Sequence, residues 1–221
     1  PTTVAAISTL LLCALAAAGA LAALAALAGR LAPGQMARAL LVVASAGLAT
    51  PLWWYGRVLF PEALLACALT LAALLATRAE GSRGRRLLAG TALSAGMLVR
   101  AALVIYALPL GWLVLRAKGQ GTRPAPCLVW VAAGAAPFAI ALLAHNALRF
   151  GDPLATGYAG EAFSTPPWEG IGGLLLSPGK GVWLHAPPVL LSLVLWPRFR
   201  RAYPPLGEFL ALAWAIALLF Y

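Results

Sequence analysis

The stretch VAAISTLLLCALAAAGALAALAALAG, Val4 to Gly29, carries no ionisable side chain except the Cys13 thiol. About 20 apolar residues suffice to take a helix across the hydrocarbon core of a bilayer, so this segment reads as a membrane span. Alanine and leucine dominate it without polar alternation, and a spanning segment must satisfy its own backbone hydrogen bonds, which favours helix over barrel strand. Cys127 to Ala144 repeats the pattern. Over all 221 residues, 62% are hydrophobic and 10% charged, with mean hydropathy +0.89; a soluble domain is about a quarter charged. The expected fold is an all-α, polytopic transmembrane helix bundle without a soluble domain.

A net charge of +10 would suggest nucleic acid in a soluble protein. Here the basic residues fall in short loops between apolar runs, which is what membrane topology requires, and no nucleic-acid partner is expected. Cys13, Cys67 and Cys127 lie in apolar stretches without CxxC spacing and read as packing residues. The chain starts at Pro1, ends at Tyr221 inside an apolar run, and its first segment lacks the basic region and cleavage site of a signal peptide. It reads as a single transmembrane domain over residues 1–221, truncated at both ends.

Spans are expected at Val4 to Gly29, Ala39 to Trp54 and Ala63 to Thr77, the last ending in the basic loop with Arg78, Arg83, Arg85 and Arg86. The positive-inside tendency puts that loop in the cytoplasm. From Leu87 to Leu115 the apolar pattern is broken by Arg100, and both flanks are basic. A hairpin of two short helices, with Arg100 near its outer tip, keeps both flanks inside and avoids a charge deep in lipid. Cys127 to Leu148 then crosses outward, Val182 to Trp196 returns, and Leu206 to Tyr221 begins another crossing. The sum is about eight membrane segments, some short. Cytoplasmic loops are expected near 30–38, 78–86, 116–126 and 197–205, outer loops near 55–62 and 149–181.

This threading puts 12 of the 16 basic residues inside. The four outside, Arg57, Arg100, Arg149 and Lys180, face four acids, Glu62, Asp152, Glu161 and Glu169. Orientation does not call for such a balanced cluster, nor for His145, Asn146, Tyr158 and His185 beside it. Glu62 follows Pro61 at a helix start, where the helix dipole favours an acid; it reads either as an interfacial cap or as a functional group. Arg100 must snorkel, pair with an acid such as Glu62, or face a polar cavity, where its planar fork suits a phosphate. Gly151-Asp152-Pro153 is a helix stop and turn. Ser177-Pro178-Gly179-Lys180-Gly181 is a turn whose N–H groups and ammonium suit an anion, although it lacks P-loop spacing. His145 and His185 have no further His or Cys nearby to form a metal site. No nucleophile turn supports Ser164 or Ser177 as a protease serine.

The run from Asn146 to Tyr158, N-x-x-R-F-G-x-P-x-x-T-G-Y in outline, followed by Gly173 to Trp183 with G-L-L-x-S-P-G-K-G, resembles bacterial multi-spanning glycosyltransferases that use polyprenyl-phosphate sugars. These are the GT-C superfamily, with its glycosyltransferase 39, protein O-mannosyltransferase and aminoarabinose transferase types. Tyr55 to Glu62 is similar to the family's aromatic helix start, and Leu87 to Arg100 to its glycine-spaced segment ending in a base. The resemblance spans about Leu41 to Pro197. It implies transfer of a sugar from a polyprenyl-phosphate donor to a lipid, polymer or protein acceptor, on the extracytoplasmic face of a bacterial inner membrane.

On that reading Arg100, Arg149 and Lys180 are candidates for the phosphate, and Glu62, Asp152 and Tyr158 for the sugar or acceptor. Arg57, Asn146 and His185 complete the candidate binding set. The family carries its catalytic carboxylate on a loop after its first helix; no acid-bearing loop precedes Val4, so the base is expected upstream and Asp152 is only a fallback. No cofactor beyond the donor substrate is assigned, and metal dependence is left open. The competing expectation is a transporter or flippase for a lipid-linked or anionic substrate, with charges lining its path.

Overall fold

The computed structural model describes residues 2–58, 60–78, 82–117, 123–155, 166–179 and 181–220. Most of these residues are helical, with no strand among them. In chain order the helices are α1 (Thr2–Leu31), α2 (Met36–Leu48), α3 (Leu52–Tyr55), α4 (Glu62–Thr77) and α5 (Arg83–Val99). A 3-10 turn (Ala101–Tyr106) follows, then α6 (Ala107–Arg116), α7 (Pro124–Phe150), α8 (Pro167–Leu176), α9 (Val182–His185), α10 (Pro188–Ala202) and α11 (Pro204–Phe220).

Two helices are long and apolar enough to cross a membrane: Ile7–Leu31 of α1 and the whole of α7, with mean hydropathies of 2.5 and 2.2. Only 11% of the most apolar window of α7 is buried, so most of its side chains face outward, unlike those of a soluble protein's core helix. Leu128, Val129, Ile140 and Leu143 all lie exposed along it. The two helices point to membrane association.

Small residues set the packing. Cys13 Sγ donates to the Phe60 carbonyl at 3.5 Å, and Gly19 lies against Cys67, so α1 and α4 run in the same sense. Gly47 of α2 meets Leu21 as the chain returns along α1. Ala68 of α4 meets Gly96 of α5 in antiparallel register. The closest approach is between α5 and α7. A Cβ at Gly90 would lie 2.0 Å from the Val131 carbonyl oxygen, and one at Gly134 would lie 1.9 Å from that of Leu87. Only glycine hydrogens fit there, each aimed at a carbonyl oxygen as a Cα–H···O contact. Thr91 Oγ1 donates to the Gly134 carbonyl at 3.0 Å across the same crossing. The core around it includes Ala72, Ala76, Ala89, Leu93, Leu110, Leu113, Cys127 and Phe209.

The chain does reverse at Arg100. That residue is extended (φ −149°, ψ 110°) between α5 and the 3-10 turn, and Leu103 folds back onto Gly96. Gly111 of α6 then lies beside Leu128, while Arg83, at the start of α5, sits over the Trp130 ring at 5.7 Å. Thus α5 and α7 start at the same end, and α6 returns to it. At that end Arg85 Nη1 donates to the Arg78 carbonyl at 2.8 Å. Tyr203 Oη donates to the Leu31 carbonyl, and Arg116 grips Glu208 of α11 through Nε at 2.8 Å and Nη2 at 3.0 Å. Most of the arginines therefore gather at one end of the bundle, and Arg100 lies at the other.

Several expected boundaries differ. Ala39 to Trp54 is not one helix: α2 stops at Leu48, and Thr50 Oγ1 caps the break, donating to Ala46 at 2.6 Å and accepting from Leu52 N–H at 3.3 Å. Val182 to Trp196 is divided at Pro187-Pro188, where α10 begins, because a proline lacks the N–H of a continuing helix and suits a first turn. That helix runs through Pro197 to Ala202, so most of the expected loop 197–205 is helical. Ser82 Oγ accepts from Arg85 N–H at 3.3 Å, starting α5 inside the expected loop 78–86. Likewise α7 begins at Pro124, inside 116–126, and the outer segment 149–181 contains α8. Arg86 is no loop residue. It is 4% exposed, and its Nε and Nη2 find no acceptor among the described residues.

Candidate functional site

The best-defined polar group at the Arg100 end is an ion pair. Glu62 is the first residue of α4 behind Pro61, a position that an N-terminal dipole favours for a carboxylate. Arg100 occupies the break at the end of α5, where the chain is extended and its side chain leaves the helix surface. Because α4 and α5 are antiparallel neighbours, the two meet: Arg100 Nη1 lies 3.6 Å from Glu62 Oε1, with the side chains 38% and 31% exposed. Glu62 Oε2 is buried and accepts no hydrogen bond from the described residues. A carboxylate oxygen in that state has unused acceptor capacity, and a hydroxyl is the complementary donor. In the segment that leads into α4, Trp53 and Trp54 meet edge to face at 5.9 Å, and Tyr55 and Phe60 at 6.2 Å. Arg57 is exposed, its guanidinium 5.4 Å from the Trp53 ring centroid.

The residues after α7 do something else. Gly151 has φ +77° and ends the helix in a left-handed cap, as its glycine suggests. Asp152 Oδ1 accepts from Leu154 N–H at 2.8 Å, which makes its carboxylate the staple of the turn and weakens its claim as a base. Asn146 is 7% exposed and donates to the Pro153 carbonyl at 3.3 Å. It fastens the turn to its own helix. Arg149 is exposed and its guanidinium lies 5.1 Å from the Phe150 ring centroid. His185 Nδ1 is 3.0 Å from the Gly181 carbonyl, a contact within one helical turn. Ser177 Oγ accepts from Gly179 N–H at 3.3 Å, and its carbonyl accepts from Gly181 N–H at 2.7 Å, so this segment is the expected tight turn. Tyr158 and Lys180 lie outside the described residues, as do Glu161 and Ser164.

The structure therefore joins Glu62 and Arg100 directly. No hydrogen bond or ion pair among the described residues ties that pair to Arg57, Asn146, Arg149, Asp152 or His185. Nor do three potential metal-binding side chains come together among the described residues. Two polar residues went unnoticed in the sequence, Glu208 and Trp112, whose indole N–H donates to Glu208 Oε2 at 2.9 Å beside the Arg116 fork. The i, i+4 spacing of Trp112 and Arg116 puts both on one helix face, a signal that could have pointed to a shared partner.

Compared with family models, curated proteins and solved structures, the chain matches none.

Proposed function

We propose that this chain is the membrane core of a polytopic glycosyltransferase of the GT-C type, which takes a sugar from a polyprenyl-phosphate donor on the extracytoplasmic face of a bacterial inner membrane. The observation that carries the reading is the Glu62–Arg100 pair at the hairpin tip, opposite the basic end of the bundle. The charge distribution supports the orientation: a cluster of arginines belongs on the cytoplasmic side. The sequence resemblance over Asn146 to Trp183 supplies the donor class.

In this reading Arg100 receives the phosphate of the lipid donor, stabilising the charge that grows on the leaving group as the sugar–oxygen bond opens. Glu62 Oε2, which has no donor partner among the described residues, accepts a hydroxyl of the sugar or acceptor and orients it. Arg149 and Lys180 stand as further phosphate candidates, and Tyr158 as a sugar contact. No residue of this chain is assigned as the base.

The test is transfer. The protein is supplied with radiolabelled polyprenyl-phosphate sugars, and label is followed into lipid, glycan and protein fractions. Incorporation that depends on Arg100 is expected. Absence of transfer from any donor, combined with counterflow of an anionic substrate, would establish the transporter instead.

A further inference from the structure

At the basic end, α10 presents a graded surface. Trp196, Pro197, Arg200 and Arg201 line an open cleft of about 380 Å³. Their spacing of i, i+1, i+4 and i+5 keeps them on one helix face, and Leu193 and Val194, 54% and 76% exposed, continue that face towards the helix start. The order along the axis is thus apolar, aromatic, basic. The cleft is held in shape from behind: a Cβ at Gly207 would lie 3.0–3.2 Å from Cα, Cβ and Cγ of Arg200, so the Arg200 stem rests on bare α11 backbone. The nearby acid, Glu208, is engaged by the Arg116 fork and the Trp112 indole. The Arg200 charge also acts on Glu208, but neither Arg200 nor Arg201 makes an ion pair within 4 Å among the described residues.

From this we infer that the cleft is a binding site for the phosphate headgroup of an anionic phospholipid in the adjoining leaflet. Its acyl chains would lie along Leu193 and Val194, its glycerol region against the Trp196 ring, and its phosphate between Arg200 and Arg201. A free phosphate ion satisfies the arginines alone, whereas the apolar and aromatic parts of the same face match an amphiphile. Each arginine near a charged membrane surface favours an anionic headgroup by roughly fivefold, so about 25-fold selectivity over a zwitterionic headgroup is expected for the pair.

The inference rests on the membrane reading, and the experiment separates the two. Purified protein is reconstituted into phosphatidylcholine vesicles, and flotation checks incorporation; protein that stays out of the vesicles overturns the membrane reading itself. In floated samples, Trp196 fluorescence is isolated as wild type minus Trp196→Phe and quenched with a few mole per cent of brominated phosphatidylglycerol or brominated phosphatidylcholine. Much stronger quenching by the anionic lipid supports the site, as does its loss in Arg200→Ala/Arg201→Ala and its retention in Arg200→Lys/Arg201→Lys. Equal quenching by both lipids in floated protein overturns it. So does reversal by inorganic phosphate at constant ionic strength, which would mark a free-anion site.

Discussion

The crossing of α5 and α7 gives the sharpest prediction. In Gly90→Ala the new methyl would stand 2.0 Å from the Val131 oxygen, 2.9 Å from its carbon and 3.2 Å from Ala135 N. All three are helix backbone and cannot rotate away, so the axes must separate by about 1.3 Å to restore ordinary contact. Overpacking of this kind costs about 1–3 kcal/mol. Separation also lengthens two Cα–H···O contacts, at about 0.5–1 kcal/mol each, and the Thr91–Gly134 hydrogen bond, at about 0.6 kcal/mol in a membrane protein. Alanine's better helix propensity returns about 0.5–1 kcal/mol. The net loss is about 2–5 kcal/mol for Gly90→Ala, and similarly for Gly134→Ala; the double variant should lose less than the sum because both relieve one crossing. Unfolding by sodium dodecyl sulfate from mild detergent, followed by circular dichroism, measures this. The controls are Gly84→Ala and Gly172→Ala, whose added Cβ meets nothing within 4 Å; both should be neutral or slightly stabilising. If Gly90→Ala and Gly134→Ala unfold with the controls, the close crossing is wrong.

Arg86→Met should raise the unfolding free energy by about 1–2 kcal/mol, since it keeps the stem and removes a buried guanidinium whose Nε and Nη2 find no acceptor among the described residues; a fall would show that the charge has an acceptor. Arg100→Ala should reduce donor use at least tenfold while leaving membrane insertion intact, Arg100→Lys should retain part of it, and Glu62→Gln should raise the KM for one substrate. Wild-type turnover in Arg100→Ala and Glu62→Gln would remove the pair from the site. In a cysteine-free background, a cysteine at Gly160 should react with a membrane-impermeant thiol reagent added outside, and one at Gly84 only after permeabilisation; the opposite pattern inverts the topology.

What sequence could reveal depended on whether the cause was local. The reversal at Arg100 was legible because a lone charge between two basic flanks leaves few ways to thread a membrane, and Gly151 announced its own left-handed cap. Proline pairs at 187–188 were equally visible, but the apolar run around them masked the break. Arg86 was misassigned because a cluster of arginines looks like a loop. Once Ser82 starts the helix, the helical phase turns one of them inward, and that phase is invisible in a charge count. Asn146, Asp152 and His185 have side chains suited to a ligand, yet the structure occupies each with a nearby backbone group. The Glu208–Arg116–Trp112 cluster joins residues more than 90 positions apart, a pairing that only tertiary structure decides.

Helix length carries one more consequence for the hairpin. With 16 residues α4 is about 24 Å long, and with 17 residues α5 is scarcely longer, whereas α7 with 27 residues reaches about 40 Å. In the proposed embedding the tip bearing Glu62 and Arg100 stops about 6 Å short of a 30 Å hydrocarbon slab, beside a neighbour that crosses it fully. On that embedding, local thinning would relieve the mismatch, the aqueous boundary would dip towards the tip, and the ion pair would sit in a recess instead of at full depth in oil. A phosphate anchored to a long isoprenoid chain could then reach the pair from the side without leaving the lipid.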